Sequence, residues 1–157
     1  MALTDRDLAL KLYVILHRAA AAVDRHAEAD IGRHGLSTTE FAALEALFHK
    51  GDLLVGELQR KVLRSSGGIT YVVDRLQEKG LVTRKPCATD RRAMYASLTD
   101  RGRALMEEVF PTHAAALKGA MSALTKEEKR AAIELLRRLG TGAAESPVPG
   151  EAAGTAA

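Results

Sequence analysis

The side chains best suited to chemistry in this chain are a single cysteine, Cys87, and five histidines, His17, His26, His34, His49 and His113. None stands in a Cys/His or carboxylate pair at metal-ligand spacing. No glycine-rich loop follows a strand to cradle a phosphate, and no nucleophile has a base beside it in a recognisable motif. No enzyme, metal or cofactor is expected. The spacing that does stand out suits recognition of a polyanion. Ser65-Ser66-Gly67-Gly68 places small residues and two glycines where a backbone could approach a phosphate closely, and Asp90-Arg91-Arg92 places a carboxylate two residues from a guanidinium.

Charge is distributed in the same sense. Residues 60–103 carry eleven Lys and Arg against four Asp and Glu, a local net charge of +7 in a chain whose total is +3. The remainder is therefore acidic. A basic middle between acidic flanks argues for a localised polyanion-binding surface, with a solvated charged face as the plainer alternative. At 157 residues the chain fits one domain, or one domain plus an element for assembly, and with aromatics at 4% the core must be mostly Leu, Val, Ile and Ala. One cysteine rules out an intrachain disulfide, and no stretch has the pattern of a signal peptide or a membrane span, so the cytoplasm is the expected compartment.

The elements that must position these residues follow from periodicity. Leu8, Leu12, Ile15, Ala19 and Val23 recur at helical steps, and Leu10, Tyr13, Val14 and Leu16 widen the apolar surface beyond one stripe, as a helix buried between two subunits requires. Ser37-Thr38-Thr39-Glu40 is a capping box opening a helix that buries Phe41, Leu44, Leu47 and Phe48 and ends at Gly51. A short helix over Val55 to Leu63 presents Leu58 and Val62 inward. Another carries Ile69, Val73 and Leu76, is capped by Ser65 or Ser66, and stops at Gly80.

The period then changes. Residues 81–85 and 93–98 read as strands around a polar tip, Pro86 to Arg92, which makes a basic β-hairpin. Thr99 or Asp100 caps a long helix running to Leu124 with a kink at Pro111. Thr125-Lys126-Glu127-Glu128 opens a last helix ending at Gly140, and residues 141–157 read as a disordered tail.

This order defines a mainly α fold with a small β-hairpin wing (α+β): a winged helix-turn-helix core flanked by N- and C-terminal helices. The expected divisions are 1–35 (dimerisation helix and linker), 36–100 (DNA-binding lobe), 101–140 (C-terminal helices) and 141–157 (disordered tail). In such a fold the second short helix enters the major groove and the wing reaches the flanking minor groove. The outer face of that helix would comprise Ser65, Ser66, Gly67, Thr70, Tyr71, Asp74 and Arg75.

Leu36-Ser37-Thr38-Thr39-Glu40-Phe41, Ser65-Ser66-Gly67-Gly68-Ile69-Thr70, Val73-Asp74-Arg75-Leu76, Lys79-Gly80-Leu81-Val82, Asp90-Arg91-Arg92 and Leu98-Thr99-Asp100-Arg101-Gly102, in this order, resemble the core of the MarR family. With its flanking helices the resemblance spans about residues 5–140; it departs from the common pattern at Leu53-Leu54, where a polar helix cap often sits. It implies a homodimeric transcriptional regulator, in most cases a repressor, on a near-palindromic stretch of double-stranded DNA, with the N-terminal helix and the C-terminal helices of 101–140 as dimerisation helices. The DNA-binding residues it implies are Ser65, Ser66, Gly67, Thr70, Arg75, Arg84, Arg91 and Arg92, with Asp90 orienting Arg92.

Many relatives release DNA when a small aromatic acid or similar effector binds between the dimer helices and the DNA-binding lobe. Here Tyr13, His17, Phe41 and His113 would line that cleft, with ordinary packing as the alternative for each. Others sense peroxide through a cysteine near the start of the first helix, which this chain lacks. Cys87 lies instead near Arg84, Lys85 and Arg91, whose charges would lower its pKa. Redox control through Cys87 and an incidental exposed thiol both stay open, as does a helical protein-interaction module whose basic hairpin meets an acidic partner.

Overall fold

The computed structural model describes residues 3–62, 68–90 and 92–148. These divide into two compact units, Met1–Ala120 and Met121–Ala157. The first unit opens with α1 (Asp5–Arg33), whose N-terminus is closed by a capping box between Thr4 and Asp7. Only Asp30 and Ile31 of this helix are buried. Leu8, Leu12, Tyr13, Val14 and Ile15 remain exposed, so the wide apolar surface expected from the sequence is left uncovered by the described residues of this unit.

The expected box at Ser37 is present: the Ser37 hydroxyl accepts from the Glu40 amide at 3.2 Å, and the Glu40 carboxylate accepts from the Ser37 amide at 2.8 Å. It starts α2 (Thr38–Lys50), which buries Phe41, Ala43, Leu44 and Leu47, while Phe48 is partly exposed against the core. Gly51 ends the helix at φ 79°, but with ψ −157° rather than in the left-handed helical conformation.

Leu53 and Leu54, unassigned in the sequence, form β1 (Leu53–Leu54), which pairs with Ala96 and Tyr95. The Leu54 amide also donates to the Glu57 carboxylate at 3.1 Å, so Glu57 supplies the missing polar cap at the start of α3 (Val55–Val62).

Next comes α4 (Ile69–Glu78). Its N-cap is Gly68 at φ 104°, with no side-chain cap, which corrects the assignment of Ser65 or Ser66. Those serines, with Leu63, Arg64 and Gly67, lie outside the described residues. At the other end Leu81 N–H bonds to Leu76 C=O and Gly80 N–H to Gln77 C=O, both at 2.9 Å. With Gly80 at φ 69° this is a Schellman close.

The chain turns directly into β2 (Val82–Pro86) and β3 (Met94–Leu98). Pro86 is the last residue of β2, opposite Met94, rather than part of the tip. The sheet is three-stranded and antiparallel in the order β1-β3-β2, so the expected hairpin gains a third strand.

Thr99 caps α5 (Asp100–Ala120): its hydroxyl accepts from the Gly102 amide at 3.0 Å and donates to the Gly80 carbonyl at 2.7 Å. The helix continues through Pro111 and stops at Ala120, short of the expected Leu124. Gly102 permits this docking, because a Cβ there would sit 2.0 Å from the Leu81 carbonyl oxygen. Ile31, Leu44, Leu47, Leu58, Val73, Leu76, Val82, Met106 and Val109, among others, form one core from α1 to α5.

The second unit contains α6 (Lys126–Glu145), opened by the expected Thr125–Glu128 capping box. It passes through Gly140 and Gly142, so residues 141–145 are helical rather than tail. Ile133, Leu135, Leu136 and Leu139 are exposed. Residues 149–157 lie outside the described residues.

Candidate nucleic-acid interface

Helix α4 divides cleanly. Ile69, Val72, Val73 and Leu76 face the core, while Thr70, Tyr71, Asp74 and Arg75 face outward. Tyr71 is 68% exposed, unusual for a tyrosine on a packed helix and consistent with a contact surface. The first turn of α4 carries no acidic residue, which leaves its positive end uncompensated on the helix itself. Arg75 points toward the C-terminal turn, where it pairs with Glu78 at 2.7 Å.

The wing lies beside this helix. A groove of about 430 Å³ is lined by Glu57 and Arg60 of α3, Thr70 of α4, and Arg84, Arg92 and Met94 of the wing. It brings together three residues implied by the resemblance, Thr70, Arg84 and Arg92. Arg60 joins them; in the sequence nothing local distinguishes it from the other cations of the basic stretch.

Arg84 is the least free of the group: it contacts Asp74, Gln77 and the Thr70 carbonyl of α4. Asp90 also behaves differently from expectation. Its carboxylate accepts from the backbone amide of Arg92 at 2.9 Å, shaping the turn and not gripping the guanidinium. A short polar side chain reaches the amide two residues on more readily than a flexible arginine tip. Arg92 itself is exposed, and Arg91 lies outside the described residues.

The Cys87 thiol sits below its ordinary pKa, first because the Thr89 hydroxyl lies 3.3 Å from its Sγ, then through the loop amides of Thr89 and Asp90. Among the described residues the cause is hydrogen bonding within the tip; Arg91, one of the three cations expected to act on the thiol, lies outside them.

The four candidate effector residues separate into two pairs. Tyr13 and His17 stack on α1 with ring centroids 4.2 Å apart, and His17 Nδ1 lies 2.9 Å from the Tyr13 carbonyl. Phe41 and His113 stack in the core at 4.4 Å, and His113 Nδ1 lies 3.3 Å from the buried Asp30 carboxylate, which also pairs with Arg33. The Asp30 contact was not anticipated, since its partner is 83 residues away. Among the described residues no group of three or more His, Cys, Asp or Glu could hold a metal ion, and no helix is long and apolar enough to cross a membrane.

An outward-facing helix beside a basic wing defines a winged helix-turn-helix, and comparison with known proteins gives its family. Residues 34–93 match the MarR family. The chain is 43% identical over 137 residues to the HTH-type transcriptional regulator MhqR of Bacillus subtilis (strain 168), covering 87% of this chain and 94% of that one. This chain belongs to the MarR family. Among solved structures it is similar to Sco3205, a MarR family transcriptional regulator from Streptomyces coelicolor in complex with DNA. That match has a TM-score of 0.77 and 25% identity, over 90% of each chain. It is also similar to Bordetella bronchiseptica BpsR, whose DNA binding is regulated by 6-hydroxynicotinic acid. There the TM-score is 0.75 at 25% identity, over 82% of this chain and 92% of BpsR.

Proposed function

We propose that this chain is a sequence-specific DNA-binding transcriptional regulator, a repressor acting as a homodimer in the cytoplasm and not an enzyme. The observation that carries the reading is the outward face of α4, with Thr70, Tyr71 and Arg75, set beside a groove lined by Arg60 and Arg92. Such a helix fits the major groove, and an exposed arginine at a wing tip suits a narrow, electronegative minor groove. Ser65, Ser66, Gly67 and Arg91 complete the proposed contact set. The exposed apolar faces of α1 and α6 supply the dimer surface, so residues 1–35 and 101–140 serve assembly while 36–100 read DNA.

MhqR is named as a regulator and Sco3205 is described with DNA, which supports the same use of this surface. The control of BpsR by 6-hydroxynicotinic acid supports release by a small, ring-containing acid. Tyr13 and His17 are the accessible half of the proposed effector site. Phe41 and His113 are only 2% and 6% exposed, so a ligand reaches them only if α1, α2 and α5 part.

Selection of bound sequences from random duplex DNA tests the reading. An enriched palindrome with half-sites one turn apart, roughly 34–36 Å, is expected for a dimer of this fold. Recovery of no enriched sequence rejects it. Binding to an acidic protein without preference among duplexes would instead favour the interaction-module alternative.

A further inference from the structure

We infer that Arg84 is a positioning residue for the DNA-reading helix rather than a contact to DNA. The inference deepens the proposed function and rests on it. Arg84 lies on β2, opposite Ala96 of β3, and its guanidinium reaches across to α4. Nη1 lies 2.6 Å from Asp74 Oδ1 and donates to Gln77 Oε1 at 2.9 Å. Nη2 donates to the Thr70 carbonyl at 3.4 Å. Residues 70, 74 and 77 fall on one stripe of a helix, so one planar fork grips α4 along two turns.

Among the described residues the core holds α4 along one face, through Ile69, Val72, Val73 and Leu76. Apolar burial is non-directional, whereas the hydrogen bonds of Arg84 grip the helix from a second side with defined geometry. Reading base edges depends on such orientation, because hydrogen bonds weaken steeply with misalignment. In addition, Arg84 and Asp74 form a neutral pair. The Arg84 side chain is 23% exposed against 45% for Arg75, so it offers phosphates little accessible charge.

The distinction is measurable because a DNA ligand and a clamp respond in opposite ways to the same substitution. Asp74→Asn would free Arg84. A phosphate-contacting arginine would then bind DNA more tightly; a clamp would loosen and lose discrimination. Arg84→Lys keeps the charge but cannot span three acceptors.

The experiment measures affinity of the full chain, its Asp74→Asn and Arg84→Lys variants and the double variant for a selected palindrome and for random duplex, across a salt series. The expected result is a fall of about tenfold in the palindrome-to-random ratio for each single variant, the scale of one lost charge-assisted hydrogen bond. The double variant should be no worse than either, and the salt slope unchanged. Tighter binding by Asp74→Asn, or full retention of the ratio by Arg84→Lys, overturns the inference. Amide hydrogen exchange over residues 69–78 provides a readout without DNA: both variants should exchange faster there while melting cooperatively. Unchanged exchange sinks the clamp. Wild type lacking any preferred duplex, with exchange responding as expected, sinks the proposed function instead.

Discussion

The Nζ of Lys79 lies 2.8 Å from the Glu40 carboxylate and 2.9 Å from the Gly35 carbonyl, tying the end of α4 to the start of α2 across 39 and 44 residues of chain. The same carboxylate closes the Ser37 capping box. One side chain thus fixes a helix start and locks α4 to it.

A pH dependence follows. Burial pushes the Glu40 carboxyl upward, but the hydrogen bond from Lys79, the Ser37 amide and the Lys79 charge together hold it below its ordinary value of 4.5. A carboxyl with a lower pKa in the folded state stabilises fully above its unfolded value and loses that contribution as pH falls through the folded value. Stability should therefore decline below about pH 4.5, in part through Glu40. Asp7, Asp52 and Glu128 are shifted in the same direction, so the informative quantity is a difference. Glu40→Gln should lower stability by about 1–2 kcal/mol at pH 7 and converge toward wild type at acid pH. Parallel denaturation curves from pH 7 to 3 check this, and a constant gap at every pH contradicts it.

Gly102 should not accept a side chain. A Cβ would meet the Leu81 carbonyl oxygen at 2.0 Å, and that carbonyl also accepts from the Thr99 amide at 3.1 Å. Neither backbone can yield without disturbing the other. Gly102→Ala should destabilise by about 2–3 kcal/mol despite the better helix propensity of alanine, the upper range for overpacking. Urea denaturation decides the sign; a stabilised variant would mean that α5 docks elsewhere.

Asp30 and His113 are almost wholly buried and meet at 3.3 Å. The Asp30 Oδ2 faces His113 while its Oδ1 pairs with Arg33, so removing the histidine leaves one buried carboxylate oxygen without its partner. His113→Leu should destabilise by about 1–3 kcal/mol, the cost of that buried acceptor. Asp30→Leu/His113→Leu together should recover part of that loss. A double variant at the sum of the two singles would show that the pair is not coupled.

The apolar face of α1 predicts an assembly defect. Leu12 and Ile15 are 52% and 53% exposed in the single chain. Leu12→Glu/Ile15→Glu should leave the fold of the first unit intact by circular dichroism and yield monomers in sedimentation at micromolar concentration. Binding to a palindrome should fall to the level of a single half-site. A dimer that persists in this variant would move the interface away from α1.

What could be read from the sequence was what is local. The boxes at Ser37 and Thr125, the turn at Gly80 and the inward rows of α2 and α4 depend on residues within a turn or two, and the structure has them. Features set by distant or competing residues escaped. A strand as short as Leu53–Leu54 has no period to detect, and its partners, Tyr95 and Ala96, are distant in the chain. Gly140 carried a stop signal, yet alanines at 143 and 144 let α6 continue to Glu145. Arg84 is expected from the sequence at the DNA, because only the packing of β2 against α4 brings Asp74 and Gln77 to it. The candidate effector residues divided for the same reason: Phe41 and His113 meet through the core, while Tyr13 and His17 meet within one helix.

The pairing of β1 with β3 also carries a kinetic meaning. From Leu54 to its partner Tyr95 the chain leaves the sheet, builds α3, α4 and β2, and returns after about 40 residues. Closing a loop of that length costs about 3 kcal/mol of chain entropy, more than two rungs of ladder return alone. The seam can therefore zip only after the core beneath it has condensed, and it should be late in the folding transition state.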